Sequence, residues 1–348
     1  MNAKVLILIL LLALPHAVQA QGFAGLGSDA AGFATPDPEY TLTFPTDHGP
    51  HPGFRIEWWY LTATLRGEDG RDYGVQWTLF RLGLKPHEVP GWQSPQMWMG
   101  HAALTTEEQH FVAERLARGG IGQAGVHIAP FEAWIDEWRM GGADDLSSLE
   151  INASGTAFAY DLHLSATGPL VLHGTGGYSV KSAAGQASHY YSQPAYSVTG
   201  TLHLPDGRVS VTGAGWLDRE WSSQPLAEDQ TGWDWFSLSF ENGARMMGFA
   251  LRGKGDAFIS GTWIDPDGNS TSLTSATLQL DPLQQADIAR RRIPVHWRVR
   301  VPGKGLDVEV QAINEQAWME TSFPYWEGPV RVSGSHAGNG YLEMTGYE

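Results

Sequence analysis

The sequence predicts an all-β protein made of two antiparallel β-barrel domains related by an internal repeat, with one or a few short helices. Three observations support this fold class. Charged residues are only 17% of the 348 residues, whereas Trp (15) and Gly (42) are numerous, a composition that favours strands and tight turns. Short alternating runs recur from residue 40 onward, separated by turn dipeptides. Short words of the first half also recur in the second half.

The first twenty residues predict a secretory signal peptide. Lys4 precedes an apolar run, Val5–Leu14, and Val18-Gln19-Ala20 fits cleavage after Ala20. The run is too short to anchor the chain across a bilayer, so we expect an exported, periplasmic protein without a membrane span. Residues 21–39 are rich in Gly, Ala and Pro and are predicted to be a flexible lead-in.

Strands and turns follow from residue 40. Alternating runs such as YGVQWTLFRLG (73–83) and GLDVEVQAI (305–313) predict strands. Four turn dipeptides predict hairpins: Asp69-Gly70, Asp206-Gly207, Asn242-Gly243 and Asp267-Gly268. One segment, Thr105–Arg118, is predicted to be a helix, because a capping Thr and two glutamates precede arginines and a Gly-Gly pair.

The internal repeat divides the chain. EWWYL (57–61) matches DWFSL (234–238), each is followed by a turn, and each turn leads to a strand that ends in an arginine, Arg81 or Arg252. Two related β-domains are therefore predicted at 40–222 and 223–348, joined near the polar stretch 222–232.

Side chains alternate across a strand, so residues 55–65 present two different faces. Arg55, Glu57 and Trp59 share the face that continues into apolar residues, which is typical of a strand running from a barrel mouth into its interior. The second half repeats the pattern from Asp234. We therefore predict an acid at each rim, with these four residues as ligand contacts.

WLDREW (216–221) is the strongest candidate for chemistry. On a regular strand Asp218 and Glu220 share one face, roughly 7 Å apart. Facing an apolar pocket, one carboxyl would keep its proton beside an ionised partner, as in general acid–base catalysis. Arg219 and Trp221 on the opposite face are candidate ligand contacts. A buried Asp218 needs a partner, for which we predict Arg55; the alternative is a strand end where an acid simply pairs with an arginine.

Several histidines and tyrosines have two interpretations. His48 and His51 share a Gly/Pro loop, but a zinc site needs three or four converging ligands, so no metal is predicted. His101 is assigned to ligand contact, with a hydrogen-bonded core histidine as the alternative. Tyr190 and Tyr191 either lend hydroxyls to a pocket or pack at a strand start.

Composition excludes several classes of function. The chain has no cysteine and a formal net charge of −16, which argues against thiol chemistry and against nucleic acid or anionic membranes as partners. No nucleophile elbow, phosphate loop, dinucleotide fingerprint or zincin motif occurs. No cofactor is therefore predicted.

Five segments together resemble one family: DHGPHPGFRIEWWYL (47–61), GHAALT (100–105), HYYSQP (189–194), WLDREWSSQPL (216–226) and GYLEMTGY (340–347). They are similar to the AttH-like branch of the carotenoid 1,2-hydratase superfamily, a two-domain lipocalin-like (calycin) group. The resemblance implies two lipocalin-like barrels and a hydrophobic or isoprenoid-like ligand, with a lipid-related role rather than one settled reaction. It also implies a Trp near a first strand, Trp59 or Trp235, packed against a late arginine that the sequence does not place.

The chain departs from the hydratase branch at its acids. The His-Asp-His-Asn-Trp pattern reads Leu217-Asp218-Arg219-Glu220-Trp221 here, and the stretch 245–252, nearest to a following Tyr-x-Asp, has no acid. The function expected first is therefore binding of a hydrophobic lipid or isoprenoid-like molecule. The alternatives are a cofactor-independent hydratase, isomerase or hydrolase that uses Asp218 and Glu220, and a surface factor without a small ligand.

Overall fold

The computed structural model describes residues 30–224 and 229–347 as two antiparallel sheets, which confirms the all-β class. Helical geometry within these ranges is limited to three 3₁₀ turns, Thr46–His48, Gly91–Gln93 and Pro302–Lys304. None of the described helical segments has the length and apolar character needed to cross a membrane. The predicted signal peptide, 1–20, lies outside the described residues.

The first sheet contains thirteen strands in the order β4-β3-β2-β1-β13-β12-β9-β8-β7-β6-β5, with β10 and β11 paired to β12. It curls on itself, so that β6 contacts β2, β3 and β4. Its strands are β1 Ile56–Gly67, β2 Asp72–Gly83, β3 Gln96–Thr105, β4 His110–Arg118, β5 Ala124–Ile128, β6 Phe131–Ile135, β7 Trp138–Gly142, β8 Ser148–Ser154, β9 Ala159–Ala166, β10 Val171–Leu172, β11 Tyr178–Val180, β12 Ala187–Leu204 and β13 Gly207–Ser222.

The second sheet contains ten strands in the order β17-β16-β15-β14-β23-β22-β20-β19-β18, with β21 paired to β22. Its strands are β14 Gln230–Phe240, β15 Arg245–Gly253, β16 Phe258–Ile264, β17 Ser270–Thr274, β18 Gln279–Ile288, β19 Arg291–Val301, β20 Leu306–Ala312, β21 Trp318–Met319, β22 Tyr325–Gly334 and β23 Gly338–Met344.

The two sheets share one connectivity around their first strands. β1 lies between β2 and β13, the next and the last strands of its sheet, and β14 lies in the same way between β15 and β23. Segments 55–65 and 233–241 therefore occupy equivalent strands, as the repeat predicts. The first sheet ends at Ser222 and the second begins at Gln230; the limits of the two domains stay a prediction.

Side chains on the two faces of β1 pack in different places: one face lies in the core of the first sheet and the other contacts the second sheet. Trp59 and Leu61 are fully buried in the core of the first sheet, while Trp58 and Tyr60, on the opposite face, pack with Trp235 of β14. Because the period of a strand is two, one strand contributes both to a barrel core and to the junction between the sheets.

All four predicted turn dipeptides join consecutive strands, β1–β2, β12–β13, β14–β15 and β16–β17. Their second residues, such as Gly70 (φ +79°) and Gly243 (φ +87°), adopt the left-handed conformation that glycine reaches without strain.

The predicted helix at Thr105–Arg118 is wrong. The segment is the end of β3, a tight turn and β4. Thr106 caps the turn rather than a helix, because its Oγ1 accepts from the N–H groups of Glu108 and Gln109 at 3.1 and 2.9 Å. β4 then pairs with β3 along its length, so hairpin pairing prevails over the local helical signal.

Part of the predicted lead-in contacts the first sheet. The N–H of Ala34 donates to the carbonyl of Gly53 at 2.9 Å, and the N–H of Asp37 lies 3.3 Å from Nε2 of His189. This segment covers the end of the first sheet near the loop of residues 47–54.

Candidate ligand site between the two sheets

A cavity lies where β1, β2, β12 and β13 of the first sheet face β14, β15, β22 and β23 of the second. Most of its wall is aromatic or aliphatic, contributed by Ile56, Trp58, Tyr60, Phe80, Ala187, Trp233, Trp235, Phe249, Leu251, Phe323 and Tyr325. Such a wall favours an apolar ligand, because covering it removes apolar surface from water.

The repeat places matching pairs on the two sides of this cavity. Trp58 of β1 is the cross-strand partner of Glu220 of β13, and Trp235 of β14 is the cross-strand partner of Glu343 of β23. All four side chains line the cavity. The two halves of the chain therefore each supply a tryptophan beside a carboxyl group.

Asp218 lines the cavity and is only 3% exposed. Its carboxylate accepts hydrogen bonds from Tyr190 Oη at 2.7 Å, Trp216 Nε1 at 2.6 Å and the hydroxyl of Ser192. Burial raises its pKa to about 7, although these three donors oppose the rise. A carboxyl group in this state can hold a proton near neutral pH and release it to a neighbour.

The predicted partner of Asp218 is wrong. Arg55 is not among the three groups that bond Asp218; its guanidinium donates to the carbonyl of Gly83, and its backbone N–H donates to Ser223 Oγ at 2.9 Å. The three donors that bond Asp218 are neutral, and burial is the largest influence on its pKa.

Glu220 lines the cavity together with Asp218, as expected for residues i and i+2 of one strand. It pairs with Lys181, whose Nζ lies 2.9 Å from Oε1, and it accepts from the hydroxyl of Ser188. The ammonium group also lies 4.3 Å from the ring centroid of Tyr190 and 5.1 Å from that of Phe249. Lys181 is thereby held between a carboxylate and two aromatic faces.

Glu343 brings a further carboxyl group from the second sheet. Trp233 Nε1 donates to it at 2.7 Å. Burial raises its pKa to about 7, and the like charges of Asp218 and Glu220 add to the rise. Two acids from opposite sheets, Asp218 and Glu343, therefore titrate near neutrality on one cavity.

Behind the wall, Glu327 holds Tyr60 in place. Tyr60 Oη donates to Glu327 Oε1 at 2.6 Å, and Glu327 is 1% exposed. Burial, and then the neighbouring Glu343, raise the pKa of Glu327 well above its usual range. This bond ties β1 to β22, so it fixes one side of the cavity.

A hydrogen-bonded chain leads from Asp218 into the second sheet. Ser192 donates to Asp218, so Nε2 of the buried His173, 2.6 Å from Ser192 Oγ, must donate to that hydroxyl. Nδ1 of His173 then accepts from Thr262 Oγ1 at 2.8 Å. Burial keeps the pKa of His173 well below its usual range, so the imidazole is neutral.

The AttH-like family model matches residues 35–347 of the chain. The chain belongs to the AttH-like family. Among solved structures, an AttH of Nitrosomonas europaea is similar with a TM-score of 0.80 at 30% identity, covering 91% of this chain and 100% of that chain. Kievitone hydratase from Nectria haematococca shares the fold with a TM-score of 0.66 at 16% identity, covering 90% and 98%. No curated protein sequence matches. These findings confirm the resemblance seen in the sequence.

Four predicted contacts of this AttH-like chain lie on the opposite face of β1 and β13 and do not line the cavity: Glu57, Trp59, Arg219 and Trp221. The guanidinium of Arg219 lies 3.8 Å from the ring centroid of Trp59 and donates to Glu57 at 3.3 Å. Glu57 also pairs with Arg81. The tryptophan–arginine contact implied by the family resemblance is thus Trp59 with Arg219, inside the first barrel.

The loop histidines belong to the same buried network. His51 stacks on Trp221 with centroids 3.9 Å apart, and its ring nitrogens lie 3.1 Å from Glu57 and 3.2 Å from Asp47. His48 Nδ1 lies 2.6 Å from Tyr191 Oη. Within residues 30–224 and 229–347 no three His, Cys, Asp or Glu side chains are placed to hold a metal ion; the lack of a metal stays a prediction.

The remaining predicted residues lie beside the cavity rather than on it. Tyr190 contacts three residues that line it, Asp218, Lys181 and Trp235. His101 bridges Tyr325 at 3.0 Å and Glu114 at 3.2 Å and so links the sheets. Asp234 pairs with Arg252 at 3.1 Å.

Sequence reasoning missed most of the lining residues. Trp58 and Tyr60 lie on the face of β1 that the sequence does not mark as a site, and the sequence patterns do not indicate Lys181 or Glu343. The strand pairing places Glu343 of GYLEMTGY (340–347) in the second sheet where Glu220 of WLDREW lies in the first, an equivalence that the repeated words do not indicate. No local signal marked Lys181.

Proposed function

We propose that this AttH-like protein binds an apolar ligand, a lipid or an isoprenoid-like molecule, in the cavity between its two sheets. The observation that carries the proposal is the continuous aromatic and aliphatic wall contributed by both sheets. Burying such surface against a ligand stabilises the complex by about 25 cal/mol per Å² before the costs of association.

Mass spectrometry of compounds extracted from the purified protein tests this proposal. We expect an apolar compound to co-purify with the wild type and to be lost from Leu251→Gln, which places an amide in the apolar wall. Leu283→Gln is the matched control, because Leu283 is 48% exposed. Failure to recover any apolar compound, or equal recovery from Leu251→Gln, would contradict the proposal.

A second candidate function is hydration of a carbon–carbon double bond, and the paired acids favour it. In this reaction Asp218 gives its proton to an alkene carbon, a water molecule attacks the resulting cation, and the carboxylate of Glu343 takes the proton that this water loses. The balance is one water added: the proton of Asp218 forms the new C–H bond, the proton that the water loses goes to Glu343, and exchange with solvent returns both acids to their starting states. The pKa values of both acids, about 7, suit this exchange.

Incubation with an acyclic isoprenoid alkene in ¹⁸O-labelled water tests the second candidate. The expected product is heavier than the substrate by one labelled water, and Asp218→Asn should lower the rate by at least about a hundredfold. If the wild-type protein binds the alkene but adds no labelled water to it, the hydration proposal is wrong and ligand binding alone remains.

We also propose that the protein works in the periplasm, on the basis of the predicted signal peptide. Cell fractionation, with N-terminal sequencing of the mature chain starting at Gln21, tests this. A chain that retains its first twenty residues in the cytoplasm would contradict it.

A further inference from the structure

We infer that the cavity between the sheets admits uncharged ligands and rejects those that carry a carboxylate or a phosphate. This inference depends on the ligand site proposed above and adds the charge class of the ligands that bind there. Three carboxyl groups line the cavity, Asp218, Glu220 and Glu343, against one ammonium group, Lys181, within the described part of the lining. An anion placed there meets an excess of negative charge.

Lys181 does not provide a site for an anionic headgroup. Its ammonium group is 2.9 Å from Glu220 and lies over the Tyr190 ring. Glu220 is only 7% exposed. A headgroup that took Lys181 would leave this carboxylate without its counter-charge where water cannot replace it. The pair therefore acts as one neutral unit in the wall.

The strong donors near the acids are also engaged. Trp216 and Tyr190 donate to Asp218, and Trp233 donates to Glu343. An anionic ligand would have to take these donors from buried carboxyl groups, which would then lose their own partners.

Neutral polar side chains lie on the same wall. Ser222, Gln224 and Thr345 line the cavity; Ser222 Oγ donates to the carbonyl of Ala187, whereas Gln224 Oε1 and Thr345 Oγ1 accept from the N–H groups of Ala187 and Trp233. These bonds do not use the amide NH2 of Gln224 or the hydroxyl hydrogen of Thr345, which can donate to a ligand. Such groups bond a hydroxyl or a carbonyl oxygen without bringing a net charge, and the apolar wall covers the rest of the molecule. A prenol, a prenyl ether or an isoprenoid hydrocarbon fits this chemistry; a fatty acid or a prenyl diphosphate does not.

The test compares farnesol, farnesoate and farnesyl diphosphate, which share one apolar chain and differ in the headgroup. Each is titrated at about pH 8 against the full-length mature protein, with displacement of an uncharged fluorescent dye as the readout. We expect farnesoate and farnesyl diphosphate to bind at least about tenfold more weakly than farnesol, because like charges brought together in a buried site repel strongly.

Variants show whether the acids cause the difference. The double variant Asp218→Asn/Glu343→Gln removes two charges and keeps the shape of both side chains. The ratio of the dissociation constants of farnesoate and farnesol, which we call the gap, should therefore fall several-fold. Glu150→Gln is the matched control, since Glu150 is exposed on β8, and it should leave the gap unchanged.

The outcomes separate the two proposals. If farnesoate binds as tightly as farnesol, or more tightly, the charge selection is wrong while the apolar ligand site stands. An unchanged gap in the double variant, with its fold verified by circular dichroism, also overturns the inference. If none of the three ligands displaces the dye, the proposed apolar site itself fails, and the selection fails with it.

Discussion

Asp218 and Arg219 are consecutive residues of β13, yet their side chains lie on opposite faces of the first sheet. Asp218 lines the cavity between the sheets, whereas Arg219 lies inside the barrel against Trp59. One strand therefore builds the candidate site with one face and closes the barrel with the other. Substitution of Asp218 should therefore change the properties of the cavity, whereas substitution of Arg219 should change the stability of the first barrel.

Asp218→Asn should remove a loss of stability that the wild type undergoes as pH rises. The pKa of Asp218 is raised to about 7 in the fold, so the folded state holds a proton that the unfolded chain releases near pH 4. Stability therefore falls as pH rises from about 4 to about 7 and stays lowered above that range. The variant has no carboxyl group to titrate at this position. Between pH 4 and pH 8 the free energy of unfolding of the wild type should therefore fall by up to about 4 kcal/mol more than that of the variant.

Urea denaturation at the two pH values measures this difference. The exposed Asp161→Asn serves as the control and should show no such difference between the two conditions. A pH-independent effect of Asp218→Asn would mean that the pKa of this carboxyl group in the fold is not raised above its value in the unfolded chain.

Arg219→Met should destabilise the barrel strongly without acting on the cavity. The side chain is fully buried and pairs with the equally buried Glu57, so its removal leaves an under-compensated carboxylate and costs roughly 3–5 kcal/mol. Chemical denaturation measures the loss. Arg298→Met, which breaks an exposed pair with Asp307, is the control and should change the free energy of unfolding little. If Arg219→Met loses no more stability than this control, the buried pair of Arg219 with Glu57 contributes no more than a surface pair does.

If the protein hydrates alkenes, its rate should pass through a narrow maximum near pH 7. One of the two acids, Asp218 or Glu343, must then be protonated and the other ionised, and the pair titrates with apparent pKa values that belong to both. Glu343→Gln should remove the base and lower the rate by about a hundredfold or more. A broad pH plateau in the wild type would exclude this division of roles.

His173→Phe should raise the pKa of Asp218 further. Without the donor at Nε2, Ser192 becomes a weaker donor to the carboxylate, and the ionised form loses support. Carbon-13 NMR titration of labelled aspartate measures the shift. His203→Phe is the control, because His203 lies in an exposed pair with Asp161. An unchanged pKa would reduce His173 to a packing role between the sheets.

The candidate site was only partly predictable. That Asp218 and Glu220 share a face followed from strand alternation, and both line the cavity. The face of β1 that lines this cavity carries Trp58 and Tyr60, whereas the pattern from Arg55 to Leu61 predicts ligand contacts on the opposite face, a prediction that stays open. On that opposite face, Glu57 forms a network with Arg81, Arg219 and His51.

Properties that depend on residues close together in the chain follow from the amino-acid sequence alone. Alternation with a period of two specified strands, glycine at left-handed positions specified the hairpins, and the repeated words specified two halves of equivalent connectivity. Tertiary structure decided what depends on distant residues: that 105–118 is a hairpin rather than a helix, that Lys181 pairs with Glu220, and that Glu343 faces the same cavity as Asp218. It also decided the pKa values, because desolvation depends on which surfaces the two sheets bury together.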